Sequence, residues 1–481
     1  MNHSIGVIHL LITSAVLKMN NMQNTAPVRR EIEWGGKTLS VELGQLAQQT
    51  NASALVRYGD TVVLATVVAS GSVREGINYF PLMVEFEERF YAAGKVKGSR
   101  FIKREGRPTD AAVLTGRMVD RAIRPLFDDR MRNEVQIVFT VLSFDGENDP
   151  DVICLVAAPL ILSISNVPWD GPIAGVRVGR VDGNYVINPT YAERAKSDLD
   201  LVIAGTSDRL LMVDAEGKEF PDGQFAEAIE YGQSAMQPVI DLINALVTEV
   251  GVPKMDLSHL ASAEEEHQLE DEMHAKIREW SLRQLHERFF NAPHVSKIGR
   301  KLILTDIKRD LEEWLVVEQV GKEKRKIAAD LFEEIATVEV TRAIVEDEQR
   351  VDGRSLTDIR ALVAQVGLLP RTHGSAVFSR GETQVLSVVT LASPSSEQII
   401  DSMEEDTKKH YMHHYNFPPY SVGEAGRIGA TGRREIGHGA LAEKAIEPVL
   451  PDKADFPYTI RVVSEVLGSN GSSSMASTCG S

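Results

Sequence analysis

The chain repeats itself, and the repeat limits what it can fold into. Ala54, Gly59, Thr61, Val63, Leu64 and Val67 recur 322 residues later as Ala376, Gly381, Thr383, Val385, Leu386 and Val389. The same spacing sets Val141, Gly146 and Asn148 on Val463, Gly468 and Asn470. One residue more sets Ala122, Ile123 and Pro125 on Ala445, Ile446 and Pro448. A duplication is read before any fold, because each copy is one structural unit with its own hydrophobic pattern.

Each copy opens on a hairpin signal. In ALVRYGDTVVLATVVAS (54–70) a turn at Tyr58-Gly59-Asp60 precedes a β-branched apolar run, and AVFSRGETQVLSVVTLAS (376–393) does the same. Residues 109–123 read as a helix capped by Thr109 or Asp110, 135–144 as a strand, and 151–165 as a mostly apolar helix. Strands return over 176–206, and 224–250 is an amphipathic helix. Residues 257–345 change character, with Glu, Lys and Arg at helical spacing and Pro293 as the one proline. The expected architecture is α/β in the α+β sense, with two duplicated units at 28–250 and 347–481 joined by an all-α domain at 251–346. Turn chemistry at Asp352-Gly353 marks the start of the second unit.

Residues 1–27 form an extension. Its apolar run IGVIHLLITSAVL (5–17) is too short to span a bilayer and lacks the basic start of a signal peptide. Met19 and Met22 follow at once, so the extension reads as a start codon placed too early. Two cysteines, Cys154 and Cys479, are too few for a disulfide framework and fit a reducing compartment.

A formal net charge of −17 argues against a general nucleic-acid binder, which would carry a basic footprint. One stretch is an exception. From Arg89 to Arg107 seven Lys or Arg residues face a single acid, Glu105. Such a run is often only a solvated loop. A stronger signal lies in 421–481, where Arg433, Arg434 and His438 precede the hydroxyl run Ser472, Ser473, Ser474. The run sits where a strand hands over to a helix, so free amides and the positive end of the helix dipole favour an anion. Arginine supplies planar forks that match phosphate oxygens. The bland readings are a flexible Gly/Ser linker and a surface arginine pair.

The copies differ at this point. GENDPD (146–151) of the first aligns with GSNGSS (468–473) of the second. Asp149 and Asp151 suit a helix start but repel phosphate, so only the second copy keeps an anion site. His410, His413 and His414 have spacing that could ligate a metal without an evident acid or cysteine partner, which favours a structural or polyanion-contacting role.

These segments resemble the polynucleotide phosphorylase family, built from two ribonuclease-PH-like cores of ribosomal-protein-type β-α-β units. The second copy carries the resemblance in VDGRSLTDIR (351–360), HGSAVFSRGETQ (373–384), YMHHYNFPPYSVGEAGR (411–427), GRREIGHGALAEKAIEPVLP (432–451) and SNGSSSMAS (469–477). The first carries it in YAAGKVKGSRFIKREGRP (91–108) and RAIRPLF (121–127). The resemblance implies reversible phosphorolysis of single-stranded RNA from its 3′ end, with inorganic phosphate as co-substrate and Mg²⁺ assisting. It implies that Ser472, Ser473 and Ser474 hold the attacking phosphate and that Arg433 and Arg434 grip RNA phosphates. His438 falls in the family's active-site region, so Arg433, Arg434, His438, Ser473 and Ser474 form the expected catalytic set.

Phe101, Ile102, Lys103 and Arg104 match the family's pore loop, and Arg107 closes the same basic stretch; Phe101, Lys103, Arg104 and Arg107 are the expected RNA contacts there. Ile102 replaces an aromatic residue, and a stacked base is worth about 1–3 kcal/mol that Ile102 cannot supply. Asp198 and Asp200 mimic the family's metal-binding acids but lie in the first copy, which favours a structural role. The magnesium carboxylates and the KH and OB-fold modules are expected beyond Ser481, leaving no metal ligand assigned within the chain. The resemblance also implies a cytoplasmic homotrimeric ring, RNA-degradation complex partners and no membrane attachment. The other readings are a non-catalytic RNA-binding ring scaffold or inactive fragment, and a hydrolytic nuclease.

Overall fold

The computed structural model describes residues 27–73, 77, 79–98, 101–256, 271–291, 293–294 and 296–481. The start-codon reading of the 1–27 extension rests on residues 1–26, which lie outside this set, as do Ser99 and Arg100 of the basic stretch and residues 257–270 of the helical segment.

The first core opens with β1 (Val28–Trp34), β2 (Lys37–Leu43), β3 (Ala52–Tyr58), β4 (Thr61–Val73) and β5 (Leu82–Glu87), then helix α1 (Asp110–Ile123) and β6 (Asn133–Ser143). They form a six-stranded sheet in the order β1-β2-β3-β4-β6-β5, antiparallel throughout except for the β5/β6 pair. Alternation along β6 sends Val135, Ile137, Phe139 and Val141 into the core, where all four are fully buried. Thr109 caps α1, its hydroxyl accepting from the Ala112 amide.

Helix α2 (Pro150–Ile164) is apolar all round, and every residue but Asp151 is buried. A helix of that composition needs partners on all sides. It packs against β3 and β4 and also against β7 (Ala174–Val181) and a long later helix. The first core continues through β8 (Asn184–Ile187), the short α3 (Tyr191–Arg194), β9 (Leu199–Gly205), β10 (Leu210–Gly217) and that long helix, α4 (Asp222–Val250). Strands β7–β10 make a second sheet in the order β10-β9-β7-β8, and one continuous apolar cluster joins both sheets.

Among the described residues three helices follow: α5 (Asp271–Arg288), α6 (Lys297–Val317) and α7 (Lys322–Val345). They have their own core, in which the Trp280 and Trp314 rings stack at 5.8 Å beside Leu311 and Phe332.

The second core runs through β11 (Leu362–Val366), β12 (Gly374–Arg380), β13 (Thr383–Ala392), β14 (Gln398–Asp401), β15 (Asp406–Lys409), β16 (Tyr411–Asn416), α8 (Arg433–Ile446), β17 (Thr459–Gly468) and α9 (Ser473–Gly480). Its main sheet, β11-β12-β13-β17-β16, reproduces β2-β3-β4-β6-β5, down to the single parallel pair at the edge. Two glycines show how closely the copies agree. A Cβ on Gly116 of α1 would lie 2.9 Å from the Val84 carbonyl of β5, and one on Gly439 of α8 would lie 2.8 Å from the His413 carbonyl of β16. Only glycine lets each helix sit that close to its strand.

The strand pairing and the helix caps correct the sequence alignment from Val141 to the start of the following helix. Val63 faces Val141, while its repeat partner Val385 faces Val466, so Val466 and not Val463 is the counterpart of Val141. The connection from strand to helix is shorter in the second core. The N-cap Asp149 therefore corresponds to Ser472, and Asp151 corresponds to Ser474.

Candidate active site

The loop between β17 and α9 is fixed from behind. The Gly471 carbonyl accepts from Arg380 Nη2 at 2.8 Å and Thr383 Oγ1 at 3.1 Å, and the Asn470 carbonyl accepts from Arg360 Nη1 at 2.8 Å. Ser472 then takes a left-handed conformation (φ 51°, ψ 46°) without capping α9 through its side chain. With those carbonyls engaged, the loop presents the first amides of α9, which have no acceptor inside the helix. Ser472 is exposed and Ser474 half-buried, whereas Ser473 is buried, its Oγ 2.7 Å from Tyr415 Oη.

Helix α8 brings the cations. Arg433 and Arg434 occupy its first turn, the end at which the dipole disfavours positive charge. A residue pair that breaks a local rule is a pointer to function. The two differ in what they touch. Arg433 reaches into the first core, donating to the Val84 carbonyl at 2.6 Å and to Glu85 at 3.1 and 3.3 Å. Arg434 lies over the Phe417 ring, its guanidinium carbon 4.0 Å from the centroid. Glu435 is engaged in holding the helix start, accepting from the amides of Gly432 at 2.7 Å and Phe417 at 2.9 Å.

One turn along α8, the His438 ring meets Tyr415 edge-on at 5.0 Å. Burial, with Arg434 and Arg117 nearby, pushes the imidazole down to about 4. It is neutral at physiological pH, and its Nδ1 is buried without a hydrogen-bond partner among the described residues. Arg117 comes from α1 and rests on Gly437, where an added Cβ would lie 2.5 Å from its Nε. The site thus gathers Arg434, His438, Tyr415, Phe417 and Ser473 within the second core, while Arg433 ties it to the first. Sequence reasoning singled out the arginines, His438 and the serines, and the structure adds Tyr415 and Phe417 to their surroundings. Their spacing of two on a strand was the available signal.

The equivalent place in the first core is built from acids. Asp149 caps α2, and Arg177 binds Asp149, Asp151 and Asp200, while Arg194 bonds Asp149 at 2.6 Å and Asp200 at 2.9 Å. These residues line a cavity of about 640 Å³. Asp198 is paired with Arg180 instead. The β14–β15 turn of the second core plugs into this region. Met403 is fully buried in the first core's apolar cluster, the Ser402 and Met403 carbonyls accept from Lys95 Nζ, and Tyr191 donates to Glu404 at 2.8 Å.

Burial, then Asp149, Asp151 and Glu88, drive the Glu404 carboxyl up to about 8, against the Tyr191 hydrogen bond. A carboxyl raised in the fold takes up protons more readily there than in the unfolded chain, so its contribution to stability falls as pH rises from about 4.5 to about 8. Glu404→Gln keeps the acceptor for Tyr191 without the charge. It is expected to melt a few degrees above wild type at pH 8, with the gap closing toward pH 5, as followed by differential scanning calorimetry.

The histidines fall into separate roles. His413 is buried, its ring bonded to Tyr411 at 3.2 Å and Ser464 at 2.9 Å, and burial followed by His414 pushes it down to about 4. His414 points to the other face of β16 and accepts from Arg461 at 3.1 Å. The two therefore cannot share one ion. In the basic stretch Phe101, Ile102, Lys103, Arg104 and Arg107 are all exposed, Phe101 at 86% and Ile102 at 67%. Glu105 pins this stretch by accepting from the Phe90 amide at 3.2 Å.

Comparison with known proteins agrees with the duplication. The model of the 3′ exoribonuclease family, domain 1, matches twice, at residues 35–168 and 358–481, and that of domain 2 matches residues 171–235. The polyribonucleotide nucleotidyltransferase of Rhodospirillum centenum is 47% identical over 453 residues, covering 94% of this chain and 62% of its own length. Those of Acidiphilium cryptum and Pelotomaculum thermopropionicum are each 46% identical, over 94% and 96% of this chain and 61% and 62% of their own lengths. The chain thus spans about three fifths of these relatives.

Proposed function

Since the chain belongs to the 3′ exoribonuclease family, we propose that it degrades single-stranded RNA from the 3′ end by phosphorolysis. Inorganic phosphate attacks the terminal phosphodiester phosphorus. The bond from that phosphorus to the 3′ oxygen of the preceding nucleotide breaks, a nucleoside diphosphate leaves, and the shortened RNA keeps a 3′ hydroxyl. The reverse direction is polyribonucleotide synthesis.

Phosphoryl transfer is mostly positioning and charge stabilisation. The start of α9, with Ser472, Ser473 and Ser474, holds the phosphate nucleophile. Arg434 stabilises the scissile phosphodiester, and Arg433 joins it by exchanging its bonds to the first core. Neutral His438 offers its unpartnered nitrogen to substrate. Phe101, Lys103, Arg104 and Arg107 guide the strand on its way in. The observation that carries this reading is the contrast between copies, serines and an Arg434 laid on a ring in one, an Asp/Arg network in the other.

Mg²⁺ remains a family expectation. Beside the site Glu435 is engaged by two amides and Glu465 by Asn416 at 2.7 Å, so these acids do not fit a magnesium site and no step is assigned to one. Among the described residues no helix is long and apolar enough to cross a membrane. A cytoplasmic ring-shaped homotrimer working with RNA-degradation partners completes the proposal.

Product analysis tests it. Wild-type protein with labelled oligoadenylate is expected to release nucleoside diphosphates only when phosphate is supplied. A Ser473→Ala/Ser474→Ala variant should lose about 10²–10³ of that rate, as removal of positioned donors does elsewhere. Monophosphates formed without phosphate would establish hydrolysis. RNA binding without any degradation by wild type would establish a scaffold.

A further inference from the structure

Tyr415 is the last residue but one of β16 and Phe417 lies just past the strand's end, two residues on, so both rings fall on the same side. They are stacked, 6.3 Å apart and 13° from parallel. Each reaches a different helix. The Tyr415 hydroxyl meets Ser473 of α9 at 2.7 Å, and the Phe417 face carries the Arg434 guanidinium of α8 at 4.0 Å. One strand end therefore fixes both anion donors of the site.

Each contact removes a freedom that the donor would otherwise have. A serine hydroxyl has three rotamers, and a long arginine has many more. A carboxylate could also hold an arginine, but it would neutralise the charge and occupy the N–H fork. A ring face orients the guanidinium plane and leaves its edge donors open.

The first core supplies the comparison. Strand β5 pairs with β6 as β16 pairs with β17, Leu82 facing Val135 as Tyr411 faces Ile460. That register puts Phe86 at the place of Tyr415 and Glu88 at that of Phe417. Phe86 is 3% exposed and packs without a hydroxyl, and Glu88 accepts from Thr109 Oγ1 at 2.6 Å. The fold at this position needs an aromatic ring but neither a phenol nor a second aromatic. The copy without serines and arginines is also the copy without Tyr415 and Phe417.

We propose that Tyr415 and Phe417 are positioning residues of the anion site, Tyr415 setting the direction of the Ser473 hydroxyl and Phe417 the plane of the Arg434 guanidinium. This rests on the phosphorolytic reading above and adds to it the division of labour. Tyr415 acts on the phosphate nucleophile, and Phe417 acts on the RNA.

Steady-state phosphorolysis with each substrate varied in turn separates the two. Tyr415→Phe is expected to raise KM for phosphate about tenfold, the scale of one lost hydrogen bond, with KM for RNA unchanged. Phe417→Leu is expected to raise KM for RNA by a similar factor with KM for phosphate unchanged, and Phe417→Tyr, which keeps the ring face, should restore it. Tyr415→Phe added to Ser473→Ala should have no further effect, because the phenol works through that serine. Melting temperatures of the single variants should match wild type.

Additive effects of Tyr415→Phe and Ser473→Ala would overturn the proposal. So would variants whose only change is a lower melting temperature. If wild type makes no nucleoside diphosphate, the functional reading fails instead. Calorimetric titration of inorganic phosphate into wild type and Tyr415→Phe then decides the positioning role, equal affinities overturning it.

Discussion

Arg434→Ala is expected to slow phosphate-dependent release of nucleoside diphosphates by about 10²- to 10³-fold, or roughly 3–4 kcal/mol of transition-state stabilisation. The argument rests on what surrounds the guanidinium. It lies on the Phe417 ring at 4.0 Å and within the field of a helix start, with no acid paired with it among the described residues. Its charge is therefore available to a phosphodiester. Arg434→Lys should recover little, because an ammonium neither stacks on the ring nor offers a two-pronged fork. Stability should hardly change, which a melting curve beside the kinetics will verify. Arg433→Ala serves as the contrast. That side chain is half-exposed and ion-paired with Glu85 of the first core, so its stability cost should be about 1 kcal/mol at most. An Arg434→Ala protein within threefold of wild type would remove this residue from the reaction.

Arg177→Met is expected to destabilise the protein by about 3–5 kcal/mol, the cost of leaving buried charges without their counter-ion. Arg177 is 6% exposed and binds Asp149, Asp151 and Asp200. Burial raises the Asp151 carboxyl above its usual range even with Arg177 present. Asp200, which burial alone would push up, is held below its usual range by Arg177 and Arg194. Without Arg177 these acids bind protons more readily folded than unfolded. The variant should therefore regain stability as pH falls from 8 toward 5, since stability rises on acidification wherever the folded state binds more protons. Denaturant titrations at pH 5, 6.5 and 8 measure this directly. A variant as stable as wild type at pH 8 would show that the network contributes nothing to the first core.

Much of this was legible before any coordinates. The Thr109 cap, the hairpin around Tyr58-Gly59-Asp60 and the apolar helix over 150–164 are local features, written within a few residues of where they act. The exchange of acids for serines at a helix start was also legible, because the repeat supplied its own alignment. That alignment failed at Val141, Gly146 and Asn148. A constant spacing cannot see a connection that shortens, and the sheet register moves the partner from Val463 to Val466.

The sequence by itself determined the duplication, much of the order of strands and helices, and which copy carries serines rather than acids at the helix start. The elements follow from periodicity, caps and composition, all short-range, and the duplication from recurrence along the chain. Only the tertiary structure decided that Arg433 and Arg434 differ, one bound to Glu85 across 348 residues of chain and the other laid on Phe417. It alone placed Tyr415 against Ser473, 58 residues away, and Glu404 against Tyr191, 213 residues away. The reason is physical. An exposed arginine, a phenol or a carboxylate takes its role from the atoms opposite it, and folding sets those atoms by packing sheet on helix rather than by proximity in the chain.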